Sequence, residues 1–233
     1  MSDGSSFDDT RWPRVLALGR QDEEGYRRAV ESLVQDYWRP IYAFFRRRTE
    51  PDRAEDLTQA FFAHLLEARP FRGLKTPHGS FRGYLKKALR TFAIDQHRHD
   101  SARRRSPRGG LVSLDGLEGR LGGLVAGDDD PPEVEFDRQW VRQVFRLARE
   151  RMAERYRSQG REVAFEVFRR FVLEPGASHR ELAEEYGLSP SQVNNHVSRG
   201  KASFERILRE VVADSVSSAE AVGSEMDELF RDL

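Results

Sequence analysis

The segment 178–199, with the sequence SHRELAEEYGLSPSQVNNHVSR, decides the fold class of this chain. Ser178, followed three residues later by Glu181, is the signature of a capping box that begins a short helix. Gly187 can adopt the left-handed backbone that ends this helix. Ser189 then caps a second helix, which has a proline in its first position. Two short helices joined by a glycine turn predict a helix-turn-helix.

The predicted second helix has short polar side chains on a face where a merely solvated helix more often has Glu and Lys. These residues are Ser191, Gln192, Asn194, Asn195, Ser198 and Arg199. Asn and Gln can bind adenine through two hydrogen bonds, and Arg and Lys bind phosphates. An ordinary helical hairpin is the alternative interpretation, but this face favours contact with DNA bases and backbone.

A second diagnostic stretch is Gly79–Arg108, GSFRGYLKKALRTFAIDQHRHDSARRRSPR, in the first half of the chain. On a helix, an apolar side that includes Phe81, Leu85 and Leu89 lies opposite a basic side. The basic side includes Arg82, Lys86, Arg90 and His97. Between Phe81 and Arg108 there are nine Lys or Arg residues against two acids. Such a helix can lie on nucleic acid or be a solvated face, and the stretch alone favours neither.

The composition bounds the class of protein. The 233 residues include 39 basic and 39 acidic side chains, so the formal net charge is zero and the total conceals the basic stretch. A local field, rather than net charge, would attract a polyanion. The chain has no cysteine, which excludes disulfides and thiolate metal sites and fits a reducing cytosol. The acidic N-terminus does not resemble a signal peptide, and no apolar run approaches the roughly 20 residues of a membrane span. We therefore expect a soluble cytoplasmic protein.

Helical periodicity dominates and strand signals are weak, so we predict an all-α fold with two small domains. The expected parts are a loose N-terminus (1–19), a first domain (20–105), a flexible Gly/Pro/Asp-rich linker (106–132), a helix-turn-helix domain (133–212) and an amphipathic tail (213–233). The composition of the linker resists packing. The sequence leaves open where the tail docks.

Finer predictions concern the first domain. A helix is expected over residues 22–36, with Pro40 as an interruption, and a second helix over 52–67 after Pro51. Asp95 lies near the apolar side of the basic helix. We therefore expect a buried ion pair between Asp95 and an arginine of a neighbouring helix.

Taken in order, the motifs resemble a bacterial RNA polymerase sigma factor of the sigma-70 family, in its short extracytoplasmic-function group. The motifs are LVQDYWRPIYAFFRRR (33–48), DRAEDLTQAFFAHLLE (52–67), SFRGYLKKALRTFAIDQHR (80–98) and ELAEEYGLSPSQVNNHVSRGKASFERIL (181–208). The resemblance covers about Glu31 to Val212, and the linker and tail look most like a planctomycete and myxobacterial subgroup. It implies that the first domain binds and opens the minus-ten promoter element and that the second binds the minus-thirty-five element.

Candidate residues follow from these roles. Those for the minus-ten element are Phe71, Lys75, His78, Ser80, Tyr84, Lys86, Lys87, Arg90, Gln96, Arg98 and His99. Those for the minus-thirty-five element are Ser191, Gln192, Asn194, Asn195, Ser198, Arg199 and Lys201. The resemblance also implies that Glu55, Asp56 and Gln59 contact the clamp helices of the largest polymerase subunit.

One position departs from the family pattern, because Ala60 stands where relatives usually have an acid after the glutamine. A phosphate on nearby Thr58 would add a charge of about −1.5 to −2. Thr58 is therefore a candidate phosphorylation site that would strengthen polymerase binding. The expected partners are core RNA polymerase and promoter DNA, with a Ser/Thr kinase and an inhibitory protein as further candidates. No cofactor, metal or membrane is expected.

Two other functions are weighed against this one. A helix-turn-helix repressor acting without polymerase would need a symmetric dimer surface and an effector pocket, and the sequence has no signal for either. An enzyme acting on nucleic acid is suggested by His97 and His99 beside two acids, but residues two apart on a helix point about 200° apart. No nucleophile motif or phosphate loop is present, so we do not expect an enzyme.

Overall fold

The computed structural model describes residues 23–68, 80–104, 131–174 and 176–231. Within these ranges the regular elements are helices, and the only strand-like pairing is a single antiparallel bridge between Ser80 and Val216. The all-α prediction is confirmed. None of the described helices has the length and apolar character needed to cross a membrane. The predicted N-terminal segment 1–19 and residues 106–130 of the predicted linker lie outside the described residues.

The chain divides into two compact units. The N-terminal unit runs to Val141 and includes Ser215–Ser217, whereas the C-terminal unit contains Arg142–Asp214 and Ser218–Arg231. The division falls inside a helix, beyond the predicted boundary at residue 132. The start of that helix therefore belongs to the N-terminal unit, and most of the predicted tail belongs to the C-terminal unit.

The N-terminal unit is built from α1 (Glu23–Arg46), α2 (Pro51–Ala68), α3 (Phe81–Arg104) and the first residues of α4 (Pro132–Arg157). Each of the first three helices buries a stripe of apolar residues at helical spacing. The rings of Phe61 and Phe92 meet edge to face with centroids 5.4 Å apart, which joins α2 to α3. The Tyr26 hydroxyl donates to the Leu65 carbonyl at 2.7 Å and joins α1 to α2.

Helix α1 continues through Pro40, where the sequence predicts an interruption. A proline in a helix interior removes one backbone hydrogen bond and costs about 3 kcal/mol. Here Pro40 is buried, and the following Ile41 and Phe44 are fully buried. Full burial of each such side chain contributes about 1.5–3 kcal/mol and offsets this cost. The predicted interruption is wrong because tertiary packing outweighs the local preference.

The ion pair between α2 and α3 uses Asp100 and not Asp95. Arg53 of α2 donates to the Asp100 carboxylate at 2.6 Å. Asp95 is exposed and lies 3.9 Å from Arg98 of its own helix. The expected buried ion pair of Asp95 is therefore wrong. Asp100 lies about 140° further round the helix axis, and this is the side that reaches α2.

The C-terminal unit contains the rest of α4, α5 (Glu162–Phe168), a π-helical turn (Arg169–Leu173), α6 (His179–Tyr186), α7 (Pro190–Ala213) and α8 (Ala221–Leu229). Its apolar core joins α5, α6 and α7 through the buried residues Val167, Leu182, Val193 and Val197. At the C-terminal end of α7, the Arg151 guanidinium pairs with Asp214 at 2.9 Å. This pair ties α4 to the end of α7.

The amphipathic tail docks within its own unit. Leu229 of α8 is buried, and the following Phe230 meets the Phe145 ring edge to face at 5.7 Å. Phe145 in turn lies 5.8 Å from the Phe204 ring of α7. These contacts answer the docking question that the sequence left open. The last predicted apolar position of the tail, Leu233, lies outside the described residues.

Gly200 lies where α7 crosses α5. A Cβ atom added at this position would lie 2.5 Å from Cδ2 of the Phe168 ring, closer than real Cβ atoms approach. Gly200 and Phe168 are both buried, so the ring has little room to move. The missing side chain allows α7 to pass close to α5, which sets the position of the whole second helix of the helix-turn-helix.

We therefore predict that Gly200→Ala lowers the free energy of unfolding by about 1–3 kcal/mol, because the added methyl overpacks the core against Phe168. The matched control is Gly223→Ala in α8, where an added Cβ has no neighbour within 4 Å. That change should be neutral or stabilising by up to about 1 kcal/mol. Urea denaturation of both variants measures the difference. Equal stability of the two variants would contradict the packing account.

Candidate nucleic-acid interface

Side-chain caps fix the glycine turn between α6 and α7. The Ser178 hydroxyl accepts from the Glu181 N–H at 3.2 Å, and the Glu181 carboxylate accepts from the Ser178 N–H at 2.7 Å. Ser189 and Gln192 repeat this arrangement at 3.3 and 2.7 Å. Between the two boxes, Gly187 has φ 64°, a left-handed conformation that suits glycine. Both helix starts and the turn predicted from the sequence are confirmed.

The outward face of α7 presents the polar residues that the sequence singled out. Exposed are Ser191, Gln192, Asn194, Asn195, Ser198, Arg199 and Lys201. The Gln192 side-chain oxygen is engaged by the cap, so its NH₂ group is what remains for another partner. The Ser191 and Ser189 hydroxyls lie 3.0 Å apart. Asn194 and Asn195 are therefore the amides on this face best placed to bind base edges.

A cleft of about 630 Å³ opens beside this face of the C-terminal unit. It is lined by Tyr156, Arg161, His196, Arg199, Ala202, Ser203 and Arg206. The Arg161 guanidinium stacks on the Tyr156 ring, 4.7 Å from its centre. Arg206 pairs with Glu210 at 2.9 Å, whereas no carboxylate in the described part of the chain pairs with Arg199. A concave surface with this charge suits a phosphate group.

The arginines supply the positive charge of this cleft, and His196 does not. Burial of His196, followed by the positive charges of Arg161 and Arg199, lowers the pKa of its imidazole below the ordinary value. The ring is therefore neutral at pH 7. The sequence did not point to Arg161, His196 or Arg206, because Arg161 precedes α5 and only the fold brings it beside α7.

The candidate minus-ten residues fall into separate groups. Those outside the described residues are Phe71, Lys75 and His78, and those exposed on α3 are Lys87, Arg98 and His99. Gln96 is half-buried. Ser80, Tyr84 and Lys86 are half-buried, and Arg90 is exposed, but all four have partners within the N-terminal unit.

Ser80 and Tyr84 help to form the start of α3. The Ser80 hydroxyl accepts from the Gly83 N–H at 3.1 Å, as a helix cap does. The Phe81 N–H donates to the Ser215 carbonyl at 2.9 Å. The Tyr84 ring stacks on Phe81 with centroids 6.4 Å apart, and burial raises the pKa of Tyr84. Both residues therefore have a structural role in addition to any contact with DNA.

The basic side of α3 faces the beginning of α4. Lys86 pairs with Asp137 at 2.9 Å, and Arg90 pairs with Glu133 at 2.6 Å. Arg82, which the sequence places on the same side, is 2% exposed and donates to Asp137 at 2.7 Å. These pairs were not expected from the sequence, because residues from 133 onward were predicted to lie in the other domain.

Thr58 is 0% exposed, and its hydroxyl donates to the Ala54 carbonyl at 2.7 Å. A kinase cannot reach this hydroxyl in the folded helix, and a phosphate would place a double charge in the core. The predicted phosphorylation of Thr58 is therefore contradicted, together with the reason for expecting a kinase partner. Glu55, Asp56 and Gln59 are exposed on the same helix, as their helical spacing predicts.

Substitutions at Thr58 test this assignment. We predict that Thr58→Glu lowers the free energy of unfolding by more than about 2 kcal/mol, because it buries a carboxylate without a partner. The matched variant Thr58→Val keeps the shape of the side chain and removes the hydroxyl, so no buried polar group is left without a hydrogen bond. It should stay folded with a much smaller loss of stability. Thermal denaturation followed by circular dichroism compares them. A glutamate variant as stable as the parent would show that the site is accessible.

No protein-family model, curated protein or solved structure matches this chain. The likeness to sigma factors therefore depends on the sequence motifs, and any function depends on the geometry described above. In the described ranges, no group of three or more His, Asp and Glu side chains is placed to hold a metal ion.

Proposed function

We propose that this protein is a sigma factor, which binds core RNA polymerase, recognises minus-ten and minus-thirty-five promoter elements and promotes DNA opening. The observation that supports this best is the face of α7. Asn194 and Asn195 are exposed there, and the same helix lines the arginine-lined cleft with Arg199. A helix of this kind, fixed after a glycine turn, can enter the major groove with its N-terminal residues toward the bases.

In the C-terminal unit, recognition of the minus-thirty-five element divides between base edges and phosphates. The amides of Asn194 and Asn195 suit adenine, which offers one donor and one acceptor in the major groove. Arg199 and Lys201 are exposed near them and suit the backbone. Arg161 joins them from the start of α5, so phosphates would be held from two elements of one unit. Phosphate contacts fix the register, and base contacts supply the specificity.

In the N-terminal unit, opening of the minus-ten element needs no covalent chemistry. Unstacking a base costs a few kcal/mol, and stacking on an aromatic side chain returns about 1–3 kcal/mol. Exposed Lys87 and Arg98 on α3 would hold the backbone. The candidates for a base pocket are Phe71, Lys75 and His78, which precede α3 in sequence.

The polymerase contact is assigned to the exposed face of α2. Glu55, Asp56 and Gln59 offer acceptors, and Glu55 and Asp56 are negatively charged. Such a ridge suits basic residues on a partner helix, where charge-assisted hydrogen bonds give both affinity and register. This contact separates a sigma factor from a repressor that binds DNA alone.

The first test concerns DNA readout by the C-terminal unit. We expect Arg199→Ala to weaken binding to a selected duplex by about tenfold across all sequences and to reduce the salt slope by about 1, since it removes one phosphate contact. Asn194→Ala should lose about 1–3 kcal/mol of discrimination at one base position. Fluorescence anisotropy at several salt concentrations measures both effects.

Arg209→Ala is the matched control for DNA readout. It removes the same charge from the same helix, about 15 Å further along α7 than Arg199. Arg209 is paired with Glu205. Its affinity should stay within about twofold of the parent, because the charge it removes is already paired and screened. If the Arg209 variant is as weak as the Arg199 variant, DNA binding reflects general charge and not this face.

The second test concerns the polymerase. We predict that Asp56→Arg abolishes co-purification with core RNA polymerase, because it places a cation in the acidic ridge of α2. Glu67→Arg makes the same change of charge on an exposed residue about 16 Å further along the helix and should keep the complex. If the parent chain binds duplex DNA but never binds core polymerase, the repressor interpretation replaces this one.

A further inference from the structure

Charged pairs between α3 and α4 are arranged as two matched rows. Arg82, Lys86 and Arg90 are spaced four residues apart and share one side of α3. Glu133 and Asp137 share one side of α4 in the same way. The order is antiparallel, because Arg90 meets Glu133 while Asp137 accepts from Lys86 and Arg82. Two turns of α4 thus place carboxylates along the basic side of α3.

Aromatic packing holds the same two turns of α4 in place. Phe136 and Trp140 are buried, with ring centroids 5.6 Å apart. Trp140 also stacks on Tyr37 of α1, with centroids 4.7 Å apart and an angle of 18° between the rings. The acids and the aromatic residues lie on neighbouring sides of α4, so the aromatic contacts position the carboxylates over α3.

The pairs differ in how strongly they resist opening. The Arg82 side chain is almost fully buried, and losing Asp137 would leave its charge without that partner. The Arg90 side chain is 61% exposed, whereas that of Glu133 is 13% exposed. Burial of Glu133 favours the neutral acid, but the hydrogen bond and charge of Arg90 outweigh it, so the pKa of Glu133 is lowered. Glu133 is therefore ionised at neutral pH, and solvent reaches the pair from the Arg90 side.

We propose that residues 131–141 form an acidic cover on α3, in which Glu133 and Asp137 occupy the groups that would otherwise bind nucleic-acid phosphates. This inference rests on the proposed function and adds a way in which nucleic-acid binding by α3 is regulated. The Arg90 guanidinium binds carboxylate and phosphate in the same forked geometry, and the Lys86 ammonium binds either anion as a point charge, so the two anions compete for both side chains. The protein alone then binds nucleic acid weakly through α3, and a polyanion must displace the cover.

The test uses the full chain and a fluorescent single-stranded oligonucleotide of about 12 nucleotides, a length that one basic face can hold. A single strand lacks the major groove that α7 would read, and its phosphates can still enter the arginine-lined cleft. The comparison of variants that differ only in α4 therefore reports on α3. Glu133→Gln should bind about two- to fivefold more tightly than the parent, as expected for losing one partly exposed pair. Glu133→Gln/Asp137→Asn should bind about tenfold more tightly at low salt.

Glu135→Gln is the matched control. It removes one acid from the same two turns of α4, but Glu135 pairs with Arg138 and Gln139 of its own helix and not with α3. The affinity of this variant for the oligonucleotide should stay within about 1.5-fold of that of the parent. A change of charge at a residue that does not pair with α3 is screened by salt. If the Glu135 variant tightens binding as much as the Glu133 variant, net charge explains the gain and the cover is overturned.

A second probe separates failure of the cover from failure of the proposed function. Inorganic polyphosphate has the charge of nucleic acid but no bases. It should bind Glu133→Gln more tightly than the parent and speed hydrogen exchange of the 131–141 amides in the parent. Polyphosphate binding without oligonucleotide binding by any variant would support the cover and overturn the proposed function. Equal affinities for polyphosphate, or unchanged exchange at 131–141, would overturn the cover itself.

Discussion

The left-handed backbone at Gly187, held between two capping boxes, fixes the direction in which α7 leaves α6. Everything that the C-terminal unit offers to a partner depends on this direction, because it turns Val193 and Val197 inward and leaves the amides between them outside. The close approach of Gly200 to Phe168 then fixes how far α7 lies from α5. The arginine-lined cleft is a consequence of both constraints.

The N-terminal unit uses charge differently. Its basic helix does not present its strongest face to solvent, since the beginning of α4 supplies carboxylates to Lys86 and Arg90. Both pairs are only partly exposed, and Arg90, at 61%, is the most exposed of their four side chains. Exposed pairs contribute about 0.2–1 kcal/mol each, so the Arg90 pair is the one most readily exchanged for a phosphate. The buried pair of Arg82 and Asp137 is less easily exchanged. Because the pairs differ in burial, the contact between α3 and α4 can stabilise the free protein and still yield to a ligand at its more exposed pair.

The sequence predicts well those features whose causes are local. Capping boxes, the glycine turn and the helix after Pro51 follow from residues three or four positions apart, and the structure contains them all. Features caused by tertiary packing were predicted poorly. Pro40 is accommodated because its neighbours are buried, and Asp100 rather than Asp95 reaches α2 because of its angle round the helix. Thr58 lies four residues after Ala54 and three before Phe61 on the apolar side of α2, so helical spacing already indicates its burial, which the phosphorylation prediction overlooked. No local pattern brings Arg161 to α7.

The central claim is that this chain directs RNA polymerase to promoters, and run-off transcription tests it most directly. Purified core polymerase would be mixed with this protein and a library of genomic fragments, and the 5′ ends of the transcripts sequenced. The account predicts transcripts that start at defined positions, share sequence elements upstream, and disappear without the protein or with Asp56→Arg. Transcripts that are unchanged by adding the protein, while it still binds duplex DNA alone, would contradict it.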